Sequence, residues 1–80
     1  MNRKAITCEA LQAVITRTVR ESGECEAFIG IIVRRIIPRC SGDLNWTVWG
    51  VRYGKAERSK CDAAISAIVE ELQKEFTIFD

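Results

Sequence analysis

The sequence predicts an α+β fold in which an antiparallel β-hairpin lies between two amphipathic helices, in the order α-β-β-α. Apolar residues recur every three or four positions in residues 8–21 and again from residue 61, which is the period of a helix. Two β-prone runs, residues 28–37 and 45–53, lie between these segments, and a turn-forming stretch, residues 38–44, separates them. We expect both helices to pack on one face of the hairpin.

The length and composition indicate a single small globular domain, residues 1–80. A chain of this size buries roughly 60% of its unfolded surface, so small domains usually gain stability from disulfides, metals or oligomerisation. The apolar fraction of 48% and the charged fraction of 29% are typical of a folded protein. The net charge of +1 gives no overall field that favours nucleic acid or an anionic membrane.

The first helix is predicted to run from Cys8 to Glu21. Thr7 precedes it and is a favourable N-cap residue. Ser22 and Gly23 supply a stop signal at its C-terminal end. The residues of its apolar stripe are Cys8, Leu11, Ile15 and Val19, with Val14 beside them.

Residues 25–37 allow two interpretations, a strand and a helix, because their apolar residues also fit a helical stripe. Five of the ten residues in the run 28–37 are Ile and one is Val, and branched side chains favour a pleated surface. Gly30 in the middle of the run weakens a helix. The run 45–53 also needs an adjacent strand to pair its backbone groups. We therefore predict a strand.

The hairpin is predicted to be apolar on both faces. If Ile37 lies opposite Asn45, the face under the helices carries Ile29, Ile31, Val33, Ile37, Trp49, Val51 and Tyr53. The far face then carries Phe28, Ile32, Ile36, Trp46 and Val48, together with Gly30, Arg34, Gly50 and Arg52. Two helices on one face leave the other uncovered, and a large exposed apolar patch is unusual on a monomer. We expect self-association, as a homodimer or a higher oligomer, through Phe28, Ile32, Ile36, Trp46 and Val48.

The last helix is predicted to begin after Ser59 as N-cap, with Asp62 as its capping-box partner. Its buried stripe consists of Cys61, Ile65, Ile68, Leu72 and Phe76, joined by Ala64 and Val69. The apolar tail at residues 76–79 allows two interpretations. It packs back on the sheet, or it meets another chain.

Four cysteines, at positions 8, 25, 40 and 61, are widely spaced, and the chain has no histidine. This pattern argues against a metal site, and we expect no cofactor. Two disulfides would allow three pairings, but no targeting segment or membrane span is visible, so we expect a cytoplasmic protein with reduced thiols. Cys8 and Cys61 are expected to pack in the core, whereas Cys25 and Cys40 lie beside turns and are expected to be accessible.

Catalytic chemistry is not indicated. Acid–base and nucleophilic catalysis depend most often on histidine, which is absent. The glycines occur singly, so no phosphate-binding loop is present. We expect no catalytic residues and no enzyme activity.

A basic cluster lies between the second strand and the last helix, and it consists of Arg52, Lys55, Arg58 and Lys60. A helix N-terminus surrounded by cations attracts phosphate, so nucleic-acid binding is the alternative function. Trp46 is a possible stacking surface in that interpretation. The favoured interpretation is that these residues solubilise a loop and protect a sheet edge from unwanted strand pairing.

The stretch from residue 48 to 72 resembles a double-stranded-RNA-binding domain. The order of elements is shared as well: a first helix, then antiparallel strands, then a helix opened by Ser59 and Lys60. Three alanines follow in that helix: Ala63, Ala64 and Ala67. The resemblance implies RNA as a partner of the basic cluster. The family, however, has three strands, a richer lysine run at its second helix and a histidine-bearing loop, which this chain lacks.

Overall fold

The computed structural model describes residues 3–23, 25–38 and 44–79, and within them the chain forms two helices and four strands. Their order is β1 (Lys4–Ile6), α1 (Cys8–Glu21), β2 (Gly30–Arg35), β3 (Trp46–Arg52), α2 (Arg58–Glu75) and β4 (Phe76–Ile78). The antiparallel hairpin of β2 and β3 and the two helices confirm the predicted α+β fold. A second sheet, the parallel pair of β1 and β4, was not predicted.

Helix α1 has the predicted bounds because its end signals are local. The Thr7 side chain caps it by accepting a hydrogen bond from the Ala10 N–H at 3.1 Å. At the other end the Ser22 N–H donates to the Val19 carbonyl at 3.1 Å. The fully buried residues of its stripe are Leu11, Ile15 and Val19.

The run after α1 is a strand, as predicted, but the strand begins at Gly30. The residues before it form a turn, in which the Phe28 N–H donates to the Cys25 carbonyl at 3.1 Å. The Arg20 guanidinium then donates to the carbonyls of Phe28 at 2.6 Å and Ile29 at 2.9 Å. Helix α1 therefore fixes the chain where it enters the hairpin.

A β-bulge divides the hairpin into two registers. Arg35 pairs with Trp46 and Val33 with Val48, whereas Ile32 pairs with Gly50. Trp49 is the extra residue between these pairs. The predicted register, with Ile37 opposite Asn45, is correct for the pairs between the bulge and the open end of the hairpin. It is wrong by one residue for the pairs between the bulge and the turn. Since a shift of one residue reverses the faces of a strand, the bulge decides which side chains of β3 point inward.

The prediction that Phe28 and Trp46 lie on the far face of the hairpin is wrong, because both residues belong to the core. Trp46 is 0% exposed and Phe28 is 1% exposed. The shifted register turns Trp46 and Val48 to the inner face, opposite Arg35 and Val33. Phe28 lies in the turn before β2, where strand alternation does not apply.

The prediction that three other side chains lie under the helices is also wrong. Trp49, Ile29 and Ile37 are exposed rather than packed under the helices. The bulge points Trp49 outward, while Ile29 and Ile37 lie just outside the ends of β2. Ile31 and Val33 are buried as predicted.

Helix α2 begins two residues earlier than predicted, with Glu57 rather than Ser59 at the N-cap. Asp62 does not act as a capping partner, because its carboxylate accepts a hydrogen bond from the Tyr53 hydroxyl. Ser59 instead donates to the Glu57 carboxylate at 3.4 Å. Of the predicted stripe, Cys61 and Ile65 are buried, and the partly buried members are Ile68, Val69, Leu72 and Phe76.

The apolar tail packs back on the molecule, which was one of its two predicted places. Phe76–Ile78 pairs in parallel with Lys4–Ile6. The Asn45 side chain accepts from the Ile78 N–H at 3.0 Å and donates to the Ile78 carbonyl at 2.7 Å. The Trp46 indole N–H donates to the Phe76 carbonyl at 3.0 Å. Two side chains at the start of β3 thus join the two sheets.

The expectation of reduced thiols is wrong for Cys25 and Cys61, and the expectation that Cys25 is accessible is also wrong. Cys25 forms a disulfide with Cys61, with their Cα atoms 5.8 Å apart. Cys25 is 1% exposed and Cys61 is 0% exposed, so the bond lies in the core. Cys8 donates from its thiol to the Val33 carbonyl at 3.3 Å. Cys40 lies outside the described residues, and so do the other residues of the hairpin turn from 39 to 43.

Candidate self-association surface

Exposed hydrophobic side chains concentrate on the hairpin. Among the described residues, four large hydrophobic side chains are exposed: Ile29 (54%), Ile37 (93%), Trp49 (64%) and Phe79 (60%). Three of these four lie in the hairpin or directly beside β2. The hairpin is therefore the region where apolar surface remains to be covered.

Side-chain alternation defines the surface that faces away from the helices, which we call the outer face. It consists of Gly30, Ile32 and Arg34 from β2 and Thr47, Trp49, Gly50 and Arg52 from β3. Ile32 leans over the bulge, since a Cβ atom added at Gly50 would lie 3.6 Å from its Cδ1 atom. The charged members are Arg34 and Arg52, both exposed, and the outer face includes no carboxylate.

The five residues predicted to self-associate are divided between two environments. Phe28 and Trp46 are buried in the core, and Val48 packs against the core from the inner face. Ile32 is half-buried on the outer face, and Ile36 is half-buried just beyond β2. The structure therefore does not bring the five together on one exposed surface.

Trp49 is the residue that sequence analysis placed on the wrong side. Its position depends on the bulge, and glycine inside a strand is a common sign of a bulge. Gly50 was therefore the available signal. It does not reveal which neighbour is the extra residue, so the exposure of Trp49 required the three-dimensional register.

Helix α1 covers the outer edge of β2 with polar side chains. The Gln12 side-chain carbonyl accepts from the Val33 N–H at 2.8 Å, and Cys8 donates to the Val33 carbonyl. Exposed strand edges attract other strands, and natural proteins commonly cover them. At Val33 the chain itself closes this edge.

The basic cluster contains its own counter-charges. Arg52, Lys55, Arg58 and Lys60 are all exposed. The Arg58 guanidinium lies 4.0 Å from the Asp62 carboxylate and 5.4 Å from the centre of the Tyr53 ring. The Lys60 ammonium lies 3.4 Å from the Glu57 carboxylate. The carboxylate of the N-cap residue Glu57 adds negative charge near this helix end, which disfavours a phosphate there.

Tyr53 links the end of β3 to the first turn of α2. Its hydroxyl donates to Asp62, and this hydrogen bond raises the pKa of the Tyr53 phenol. Its ring also meets Phe28 edge-on, with centroids 6.3 Å apart. These contacts give Tyr53, Arg58 and Asp62 a structural role beside the disulfide.

An open groove of about 540 Å³ lies between α1 and β2. Its lining carries both signs of charge, including Glu9, Arg17 and Glu21. Arg17 and Glu21 approach each other to 3.9 Å, and Arg20 is engaged by backbone carbonyls. This mixed lining selects no ligand class.

Within residues 3–23, 25–38 and 44–79 no group of three acidic or cysteine side chains has the arrangement of a metal site. In the same residues no helix is long and apolar enough to cross a membrane.

No family model, no curated protein and no solved structure matches the chain.

Proposed function

We propose that this protein is a small non-enzymatic interaction module that self-associates through its hairpin. The observation that carries the proposal is Trp49, whose side chain is 64% exposed in the middle of the outer face. Covering the exposed part of a Trp side chain is worth on the order of 3 kcal/mol. Ile32 adds apolar surface on the same face, and Ile36 and Ile37 add apolar surface beyond the end of β2.

A charge at Trp49 is expected to dissociate the oligomer without unfolding the subunit. Trp49→Lys removes apolar area from the contact and adds a cation to a surface that already holds Arg34 and Arg52. The matched control is Phe79→Lys, because Phe79 is 60% exposed but lies outside the hairpin. Sedimentation velocity gives the mass of each variant, and circular dichroism with thermal melting reports its folding.

Supporting results are a wild-type oligomer that Phe79→Lys retains, and a Trp49→Lys variant that sediments as a 9.0 kDa species and still unfolds in a cooperative transition. The proposal fails if the wild-type protein sediments as a monomer up to millimolar concentration. Equal loss of the oligomer in both variants would contradict a contact that is confined to the hairpin.

Nucleic-acid binding is a second candidate. It is supported by Trp49, which lies on the same sheet face as Arg34 and Arg52. Exposed aromatic rings beside arginines are a common platform for single-stranded nucleic acids. The stacking role considered for Trp46 does not apply, because that ring is buried. Lys55 lies close to Arg52 in sequence and extends the positive surface.

This candidate predicts that an oligonucleotide quenches Trp49 fluorescence and that affinity falls steeply as salt rises. Replacing Arg52, Lys55, Arg58 and Lys60 together by Ala should then weaken binding. Arg17→Ala, on the exposed side of α1, is the control. Binding that all four replacements leave unchanged would exclude the cluster as the contact surface.

A cytoplasmic location remains part of the proposal, and the disulfide is the observation that opposes it. Disulfides are typical of oxidising compartments, and the cytosol keeps most thiols reduced. Lysing cells directly into denaturant that contains an alkylating reagent, followed by mass measurement, separates the two cases, because denaturation exposes both buried side chains. Unmodified Cys25 and Cys61 would indicate an oxidising compartment.

A further inference from the structure

A second open groove, of about 330 Å³, lies between α1 and α2. Four of its five lining residues are uncharged, and the lining consists of Thr18, Ala67, Ile68, Glu71 and Leu72. Ile68 and Leu72 are half-buried against the core, so each leaves part of its side chain in the groove. The Thr18 hydroxyl donates its hydrogen to the Val14 carbonyl at 2.7 Å. The groove is therefore mostly apolar, and Glu71 carries its charge.

Water is poorly held in such a groove. Water molecules against Ile68 and Leu72 find few hydrogen-bonding partners, and an apolar group that displaces poorly ordered water gains affinity. An indole ring suits this lining because it combines a broad apolar surface with one N–H donor. The Glu71 carboxylate supplies the acceptor that a buried indole N–H requires. The groove thus fits a tryptophan side chain.

The end of α2 beside this groove is acidic. Glu70, Glu71 and Glu75 are all exposed, and Lys74 is the single cation among them. The Lys74 ammonium lies 3.9 Å from the Glu71 carboxylate, but both side chains are mostly exposed, and ion pairs of this kind are weak. In the whole sequence, residues 61–80 contain five Asp or Glu residues and one Lys. A cationic partner surface is therefore favoured at this end of the groove.

The outer face of the hairpin has the complementary properties. It carries the exposed Trp49 and two exposed cations, Arg34 and Arg52, and it includes no carboxylate. Neither guanidinium forms an ion pair with a carboxylate of the described residues. Because Arg34 pairs with Thr47, Trp49 lies between the two cations along the strand direction. The outer face therefore presents an indole flanked by positive charge.

Contact between the outer faces of two copies would bring like charges together. Sheets stacked face to face lie about 10 Å apart, so Arg34 and Arg52 of both copies would share one contact. Removing an ion from water is costly when no counter-charge is supplied, and neither outer face supplies one. The groove between the helices offers a counter-charge and an apolar lining together.

We propose that Trp49 of one copy of this chain inserts between α1 and α2 of a second copy, in the groove at Glu71. The inference rests on the proposed self-association and names the surface that the hairpin contacts. Arg34 and Arg52 then face the carboxylates at the end of α2. The contact joins two different surfaces, so successive copies form a closed ring or an open chain.

Two single substitutions remove the two halves of this contact. Trp49→Lys leaves no apolar side chain to insert, and Ala67→Arg places a cation in the groove. Ala67 is exposed and arginine favours a helix, so this variant should fold. Each variant alone should have a dissociation constant raised roughly a hundredfold or more. Ser66→Arg is the matched control and should assemble normally, because Ser66 is exposed and points about 100° away around the helix.

A mixture of the two variants gives the sharpest result. The Ala67→Arg chain retains Trp49, and the Trp49→Lys chain retains an unchanged groove. One chain of each kind should therefore form a complex of twice the 9.0 kDa mass that grows no further. Sedimentation equilibrium of an equimolar mixture measures this. A contact between two identical hairpins predicts instead that Ala67→Arg assembles by itself.

Nuclear magnetic resonance gives a readout that needs no substitution. In a mixture of isotope-labelled and unlabelled wild-type protein, we expect intermolecular Overhauser effects between the Trp49 ring and the Leu72 methyl groups. This measurement decides the case if Ala67→Arg fails to fold, and an oligomer without these effects overturns the groove contact.

The outcomes separate the two proposals. A wild-type protein that stays monomeric up to millimolar concentration overturns both. An Ala67→Arg variant that assembles as the wild type does overturns the groove contact and leaves self-association standing. A mixture of Trp49→Lys and Ala67→Arg that stays monomeric up to millimolar concentration, while the wild type assembles, has the same meaning. Equal dissociation by Ser66→Arg and Ala67→Arg also overturns the groove contact.

Discussion

At the scale of single residues, glycine and asparagine set the geometry around the hairpin. Gly54 has a φ of +61°, a left-handed conformation that glycine adopts without strain. The Asn45 side chain forms hydrogen bonds with both backbone groups of Ile78, as a neighbouring strand would. Composition indicated that Gly54 lies in a linker. It gave no sign of the role of Asn45, because that role depends on where a distant residue lies.

Gly54→Ala is expected to destabilise the fold by about 1–3 kcal/mol. A Cβ atom there would lie 2.7 Å from Cγ1 of Ile29 and 3.0 Å from the Ala27 carbonyl oxygen. Gly23→Ala is the control, because an added Cβ at Gly23 meets nothing within 4 Å. Urea unfolding measures both, and equal free energies of unfolding for the two variants would contradict the strained geometry.

At the scale of elements, prediction succeeded where signals are local. Helix α1 has its predicted bounds because the Thr7 cap and the apolar period are adjacent in sequence. The hairpin was predicted from β-prone runs and a turn, but its bulge was not. The strands of the parallel pair are three residues long, and their pairing depends on contacts between chain segments about 70 residues apart. No local sequence signal predicts these two strands.

The disulfide fastens the first turn of α2 to the turn that precedes β2. It closes a separation of 36 residues, for which the chain-entropy relation gives roughly 4 kcal/mol of stabilisation. We expect Cys25→Ala with Cys61→Ala to lower the free energy of unfolding by about that amount. Cys8→Ala, which leaves the bond intact, should cost much less. A urea midpoint insensitive to reductant would show that the bond contributes nothing.

At the scale of the whole molecule, the described residues form two small sheets, which side chains join, and two helices. The apolar surface that sequence analysis expected on the hairpin is present, but its main residue is Trp49 instead of Phe28 and Trp46. Patterning predicts how much apolar surface a hairpin carries. It does not predict which residues a bulge turns outward, and the candidate site was misplaced for that reason.

The most direct measurement of the central claim is sedimentation equilibrium of the wild-type protein over a wide concentration series. Self-association through the hairpin predicts a weight-average mass that rises from 9.0 kDa towards a multiple of that value as concentration increases. A mass that stays at 9.0 kDa throughout the series would contradict the account.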